Sequence, residues 1–254
     1  MRPSGEIVRT PSEPAHQRCA LVIPAFNHGA SVGAVIQKSL ALGFPVIVVD
    51  DGSTDDTARV LSAVDAVCVV RHGVNRGKGA ALRSGFRFAA AIADWAITLD
   101  ADGQHYPEDA RALLGAIPPD QRPIVVGRRT GMAPGRAPWA SRFGRQFSNF
   151  WVRMAGGPDV ADTQSGFRIY PLPETLALDV RARRYQYEIE VLVAARQAGI
   201  PVIERPVRVQ YTPPGGRVSH YRPLMDFLRN TETFRQLITR RVTAAVLHRP
   251  RRRR

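Results

Sequence analysis

Four times between residues 19 and 126 an apolar run closes in an acidic or glycine-rich turn and passes into a helix-like segment. That alternation constrains the fold more than any other feature of the chain. Cys19–Pro24 leads through Ala25-Phe26-Asn27-His28-Gly29 to a segment with Val32, Val35, Ile36 and Leu40 at helical spacing, which Ser31 can cap and Gly43 can end. Pro45–Val49 leads through Asp50-Asp51-Gly52-Ser53-Thr54-Asp55 into a second helix, with Ser53, Thr54 or Asp55 as cap. Ala66–Val70 leads through Asn75-Arg76-Gly77-Lys78-Gly79 into a small-residue helix, and Trp95–Leu99 through Asp100–His105 into a helix beginning at Pro107. A fifth run follows at Ile124-Val125-Val126. Runs rich in β-branched residues, without polar alternation, belong to strands covered on both faces. Strand–turn–helix alternation therefore predicts a mostly parallel sheet, doubly wound by helices through right-handed crossovers. No fixed sequence period is present, which excludes a solenoid.

Within this pattern, Leu99-Asp100-Ala101-Asp102-Gly103-Gln104-His105 places two carboxylates two residues apart where a strand runs out. Open α/β sheets bind their ligands at that end. A hard divalent cation such as Mg2+ or Mn2+ is held by one or two carboxylates together with phosphate oxygens of a substrate. The same residues also suit an acidic turn opening the helix at Pro107-Glu108-Asp109. On this stretch alone both readings stand.

The 254 residues suffice for one large α/β domain or two small ones, and 44% hydrophobic with 23% charged residues is a soluble globular composition. No apolar run approaches the roughly 18–20 residues that cross a bilayer. The opening segment is rich in Pro and polar residues, has no apolar core of a signal peptide, and reads as a disordered tail. Cys19 and Cys68 both fall in predicted strands and lack metal-ligand spacing, so two buried free thiols in a reducing cytoplasm are expected. After Gly127 the texture changes. Residues 128–136 form a Gly/Pro-containing loop, and Trp139–Met154 an amphipathic helix with Trp139, Phe143, Phe147, Phe150 and Trp151 at spacings of three and four. Such aromatics serve a core or a membrane interface more often than a nucleic-acid platform. Asp162–Tyr170 is a polar loop entering a short strand, Gln186–Gly199 a helix, and Val202–Tyr211 an extended segment. From Pro223 to Leu247 an amphipathic helix is expected. Residues 217–254 hold 11 Arg against Asp226 and Glu232, so nine of the fourteen net positive charges lie there. A basic segment of this kind serves an anionic membrane surface, nucleic acid or solubility.

Several motifs together resemble the family 2 inverting glycosyltransferases: Val22–Asn27, Val48–Asp55, Asn75–Gly79 and Leu99–Pro107 in that order. Asp162-Thr163-Gln164-Ser165-Gly166-Phe167-Arg168 is similar to the branch containing dolichol- and polyprenyl-phosphate sugar transferases. The resemblance covers residues 19–211. It implies a GT-A (Rossmann-like) catalytic domain over 19–215, after a tail of residues 1–18 and before a basic amphipathic helix and Arg-rich tail at 216–254. It further implies a metal-dependent enzyme that inverts the anomeric carbon, moving a hexose from a nucleotide-diphosphate sugar (GDP-mannose or UDP-glucose type) to a polyprenyl or other lipid phosphate. In that frame Pro24, Ala25, Asn27 and Asp51 hold base and ribose, and Lys78 with the following helix N-terminus neutralises the diphosphate. Asp102, assisted by Asp100 and Gln104, binds Mg2+ or Mn2+. Arg128 and Arg168 bind phosphate, Arg168 that of the acceptor, with Ser165, Ser219 and His220 beside it. Ordinary roles stand beside these: Asp51 as a helix cap, Lys78 and Arg128 as solvated charges, Arg168 paired with Asp162.

Two departures qualify the resemblance. His28 stands where many relatives carry Glu, and the transmembrane helices of membrane-anchored relatives are replaced here by Val218–Pro223 and the basic helix. That helix and Arg251–Arg254 are expected to hold a cytoplasmic enzyme on the inner face of the plasma membrane. A second enzymatic reading has a sugar or protein hydroxyl as acceptor, with Glu188 or Glu190 as the base it requires. A nucleic-acid-binding protein is the reading from another class, and no recognised motif accompanies the basic charge.

Overall fold

The computed structural model describes residues 18–130, 139–210, 231–235 and 237–239. Its centre is a seven-stranded sheet of order β3-β2-β1-β4-β6-β5-β7. The strands are β1 (Cys19–Ala25), β2 (Val46–Asp50), β3 (Cys68–Arg71), β4 (Trp95–Thr98), β5 (Ile124–Arg129), β6 (Arg168–Pro171) and β7 (Val202–Val207). β1 pairs in parallel with β2 and β4, β2 with β3, and β5 with β7. β6 runs antiparallel between β4 and β5. The sheet is therefore mostly parallel, as the alternation predicts.

Every residue of β1 and β2 is buried, and their side chains divide between two cores by simple alternation. Cys19, Leu21, Ile23, Val46 and Val48 face α1 (Val32–Leu40), α2 (Thr57–Ser62) and α4 (Ala110–Leu114). Ala20, Val22, Ile47 and Val49 face α3 (Lys78–Ala89) and α7 (Tyr187–Gln197). A third cluster joins α5 (Trp139–Met154) and α7 to the C-terminal helical residues: Phe147, Trp151 and Val152 pack with Ile189, Val193, Phe234 and Leu237. The helical spacing of Phe147 and Trp151 thus serves a core, with the Trp151 and Phe234 rings stacked at 6.1 Å.

Three sequence expectations change. Cys68 is exposed, at the start of β3, the edge strand that pairs with β2 alone. Ser31 makes no cap bond; its hydroxyl donates instead to the Ala101 carbonyl at 2.7 Å, tying α1 to the acidic loop. At the next helix the cap position falls to Asp56, which makes no side-chain cap bond, and none of the three offered residues occupies it; Asp55, one residue earlier, accepts the Thr57 N–H at 2.9 Å and the Gly29 N–H at 3.0 Å. Residues 231–235 and 237–239 are helical. The rest of the expected terminal helix, the tail of residues 1–17, the loop 131–138, Ser219, His220 and Arg251–Arg254 lie outside the described residues. No described helix is long and apolar enough to cross a membrane.

Candidate active site

β2 and β4 leave β1 in opposite directions across the sheet, so the chain reverses its winding between β1 and β4. Ligands of open α/β sheets sit at such a switch point, beyond the carboxyl ends of the strands. Asp100 and Asp102 occupy that position, just after β4. Thr98, the last residue of β4, donates its hydroxyl to the Gly166 carbonyl at 2.7 Å and brings the 162–168 loop against the strand end. There Lys78 Nζ lies 2.5 Å from Asp100 Oδ1 and 2.7 Å from Glu188 Oε1. A Cβ added at Gly166 would meet Asp100 Oδ2 at 2.5 Å and Lys78 Nζ at 2.8 Å, so glycine is what lets the loop pass over this cluster. Burial alone would raise the Asp100 carboxyl, but Lys78, with smaller help from His105 and His28, holds it below the usual carboxylate range.

Asp102 is half-buried and its Oδ1 accepts the Gln104 N–H at 3.0 Å. Gln104 and His105 are buried beneath it. Gln104 Nε2, His105 Nδ1 and the Ser165 hydroxyl have no hydrogen-bond partner among the described residues. Buried polar atoms without partners are uncommon, and here they gather around one loop pair. His105 packs on Phe167 with ring centroids 5.3 Å apart. Burial pushes its imidazole down to about 4; Asp100 opposes this, while Arg129 and Lys78 add to it. The ring is therefore neutral at physiological pH.

Among the described residues no group of three or more His, Cys, Asp and Glu side chains is arranged to hold a metal ion by itself. Two carboxylates and a carboxamide at a strand end fit a cation that takes its remaining ligands from a diphosphate.

The end of β2 is built differently. Asp51 is 2% exposed. Its Oδ1 accepts the Arg76 N–H at 2.9 Å and the His72 ring N–H at 2.6 Å, and its Oδ2 accepts the Gly77 N–H at 2.7 Å. The expectation that Asp51 meets the nucleotide gives way to an internal role, because its carboxylate is enclosed and ties the Arg76–Gly77 loop to β2. At the expected helix N-terminus, Gly77 N–H is held by Asp51 and Ala80 N–H donates to the Arg183 carbonyl at 2.9 Å. Pro24 and Ala25 lie buried at the end of β1, where the Ala25 carbonyl accepts the Asp51 N–H at 2.8 Å. Asn27 follows in the left-handed region (φ 54°), with its side-chain oxygen 2.8 Å from the Thr54 N–H.

Arg168 is another correction. It is 0% exposed, and its guanidinium donates to the carbonyls of Ser165 (2.7 Å), Glu188 (2.7 Å) and Thr163 (2.8 Å). It braces the 163–165 loop against α7 and is not placed to grip an acceptor phosphate. Nor does it pair with Asp162. That fully buried carboxylate takes both Nε and Nη2 of Arg129 at 2.8 Å, a bidentate fork that outweighs burial and keeps the acid ionised below its ordinary range. Arg128, next along β5, has an exposed side chain. Of the two α7 acids, Glu188 reaches the site through Lys78, while Glu190 accepts the N–H groups of Arg181 (3.1 Å) and Ala182 (2.7 Å). Sequence reasoning passed over His72 and Arg129. The Arg128-Arg129 doublet on a strand does signal one inward and one outward side chain, without saying which.

The mostly parallel sheet flanked by helices, with its antiparallel β6, is the fold of the GT-A glycosyltransferases, as its likeness to a solved enzyme of that class shows. The chain belongs to glycosyl transferase family 2, whose profile matches residues 20–174. It is 32% identical over 198 residues to an uncharacterized protein of Methanocaldococcus jannaschii, covering 76% of this chain and 81% of that one. It is 29% identical to the UDP-N-acetylglucosamine–dolichyl-phosphate N-acetylglucosaminyltransferase of Methanococcus voltae, over 76% of this chain and 85% of the relative. Polyprenol monophosphomannose synthase of Mycolicibacterium smegmatis is 27% identical, over 75% and 77% respectively. Among solved structures, glucosyl-3-phosphoglycerate synthase from Mycobacterium tuberculosis, in complex with Mn2+, UDP and phosphoglyceric acid, superposes with a TM-score of 0.63. That match has 25% identity over 88% of this chain and 77% of the other.

Proposed function

We propose that this glycosyltransferase moves a hexose from a nucleotide-diphosphate sugar to an anionic lipid phosphate of the polyprenyl type. The observation that carries the reading is the state of Glu188 and Glu190. A hydroxyl acceptor needs a carboxylate base near the anomeric carbon. Both candidates are buried and already engaged, Glu188 by Lys78 and Glu190 by two backbone N–H groups. A phosphate nucleophile is already an anion and needs no such base. The dolichyl-phosphate and polyprenol-phosphate relatives support the same acceptor class.

Asp102, Asp100 and Gln104 would hold Mg2+ or Mn2+, and when bound the metal supplies Lewis-acid stabilisation of the leaving diphosphate. The chain's own part is to keep Asp100 ionised through Lys78 and to keep His105 neutral beneath the loop. Of the arginines, Arg128, exposed on β5, is free of the internal brace that occupies Arg168 and is the better candidate to meet phosphate.

A thermal-shift panel of UDP, GDP, CDP and ADP, each with Mn2+ and with EDTA, tests the donor half. A stabilisation that requires Mn2+ is expected for one nucleotide, and no shift from any of them would reject the site. Membrane attachment through residues 216–254 is a companion proposal, resting on their basic charge. Loss of pelleting with anionic liposomes on deleting residues 217–254 is expected, and equal pelleting of both forms would reject it.

A further inference from the structure

His72 belongs to no part of the site read from the sequence, yet it stands at the head of a buried chain of contacts that ends at Asp100. β3 finishes at Arg71, paired with Asp50 of β2, and the His72 N–H continues the ladder to the Asp50 carbonyl at 2.9 Å. That register brings His72 level with Asp51. The two side chains are 5% and 3% exposed, and Nδ1 lies 2.6 Å from Asp51 Oδ1. An ionised carboxylate only accepts, so Nδ1 carries the proton. The other ring nitrogen, Nε2, lies 3.0 Å from the Ser84 hydroxyl on α3.

The Ser-His-Asp order invites comparison with a nucleophilic triad. The carboxylate here, however, also binds two backbone N–H groups, which places its function in shaping the chain. Those N–H groups belong to Arg76 and Gly77, the two residues immediately before α3. Gly77 has φ +98°, and a Cβ there would sit 2.5 Å from the Arg183 carbonyl oxygen. The turn is thus fixed from both sides, and the first residue of α3 is Lys78, whose ammonium bridges Asp100 and Glu188.

Resting on the donor-site reading above, we infer that His72 is a positioning residue for the nucleotide-diphosphate sugar. Held by Ser84, it orients Asp51. Asp51 sets where α3 begins, and that start places Lys78 beside Asp100 at the diphosphate end of the site. Outer contacts that orient ligand-binding side chains commonly govern affinity as strongly as the ligands do.

The test uses the full chain and the variants His72→Leu, His72→Asn, His72→Gln and Ser84→Ala. Asn places its amide nitrogen where Nδ1 stood and keeps the bond to Asp51; Gln places it where Nε2 stood and does not. Calorimetry with UDP and GDP in Mn2+ reads affinity, and hydrogen exchange reads the amides of residues 76–77. For His72→Leu and His72→Gln the inference expects a Kd raised about ten- to a hundredfold, the worth of one hydrogen bond to a charged group. Faster exchange at Arg76 and Gly77 accompanies it. His72→Asn restores both, and Ser84→Ala gives a smaller change in the same direction. Unchanged exchange in His72→Leu overturns the inference. So does an equal loss of affinity in the Asn and Leu variants, which would make His72 mere packing. A wild-type chain that binds none of UDP, GDP, CDP and ADP in Mn2+ overturns the donor reading instead, and the exchange data then judge the contact chain by themselves.

Discussion

β2 and β4 both run out into paired aspartates, yet the two ends have opposite fates. At β2, Asp51 is enclosed by a ring N–H and two backbone N–H groups, and Asp50 accepts the Ser53 N–H at 3.0 Å. At β4, Asp100 keeps 27% of its side chain exposed while bound to Lys78, and Asp102 stands half-buried above polar atoms that have no partner among the described residues. Position in the sheet makes the difference. β2 is flanked by β3, whose continuation delivers His72 and the Arg76–Gly77 turn straight onto its acids. β4 lies at the switch point, where neighbouring connections diverge and leave the lip open. An aspartate at a strand end is thus left partly open or enclosed as a brace according to whether another loop arrives with donors.

The largest effect that would sharpen this contrast is on chemistry at the open end. Asp102→Asn is expected to lower transfer by about a thousandfold or more, the scale of several kcal/mol of metal-assisted stabilisation. Its thermal unfolding should stay near that of the wild type. Full activity in that variant would remove the cation from the mechanism. At the closed end the balance reverses. Asp51→Ala strands one buried and two part-buried donors and is expected to cost about 3–5 kcal/mol in urea unfolding. A loss below about 1 kcal/mol would show that the clamp is dispensable.

His105 probes how dry the underside of the open end is. Its folded pKa is about 4 against 6.5 for an ordinary imidazole. The unfolded chain therefore takes up a proton in that window that the folded chain refuses. Stability from this group is complete above pH 6.5 and declines as pH falls toward 4. His105→Phe should flatten the stability–pH curve there, by up to about 3 kcal/mol. An unaltered curve would mean that water reaches the ring. The smallest expected effect is at the loop crossing the site. Gly166→Ala forces a methyl between Asp100 and Lys78 and should cost about 1–3 kcal/mol. It should also weaken Mn2+-dependent nucleotide binding, whereas Gly43→Ala, where an added Cβ meets nothing within 4 Å, changes only local backbone strain and leaves binding alone.

The parallel half of this sheet was legible because its signal is local. An unbroken run such as Val46-Ile47-Val48-Val49 can be satisfied only by cover on both faces, and the helices supplying that cover follow in sequence. β6 was not placed by the same reasoning. Four residues, Arg168–Pro171, enter antiparallel between β4 and β5, and nothing in so short a segment names its neighbours. The site divides along similar lines. Asp100, Asp102 and Gln104 stand together because they lie on one loop. The role of Asp51 depends on N–H groups 25 and 26 residues away, outside its motif, and Arg168 adds to two carbonyls of its own motif a third from Glu188, 20 residues on. The Asp162–Arg129 fork spans 33 residues and was missed for that reason.

The two thiols of the chain differ as sharply as its two acidic ends. Cys19 is buried, and its pKa is pushed up to about 12 by burial and by Asp94, whereas Cys68 stands exposed on the edge strand. Alkylating reagents attack the thiolate. A maleimide dye or spin label at neutral pH should therefore react at one position without any engineering. It would mark the start of β3, whose ladder with β2 runs from Cys68 to Arg71 and on to His72, and report from there whether nucleotide arrival is felt at the edge of the sheet.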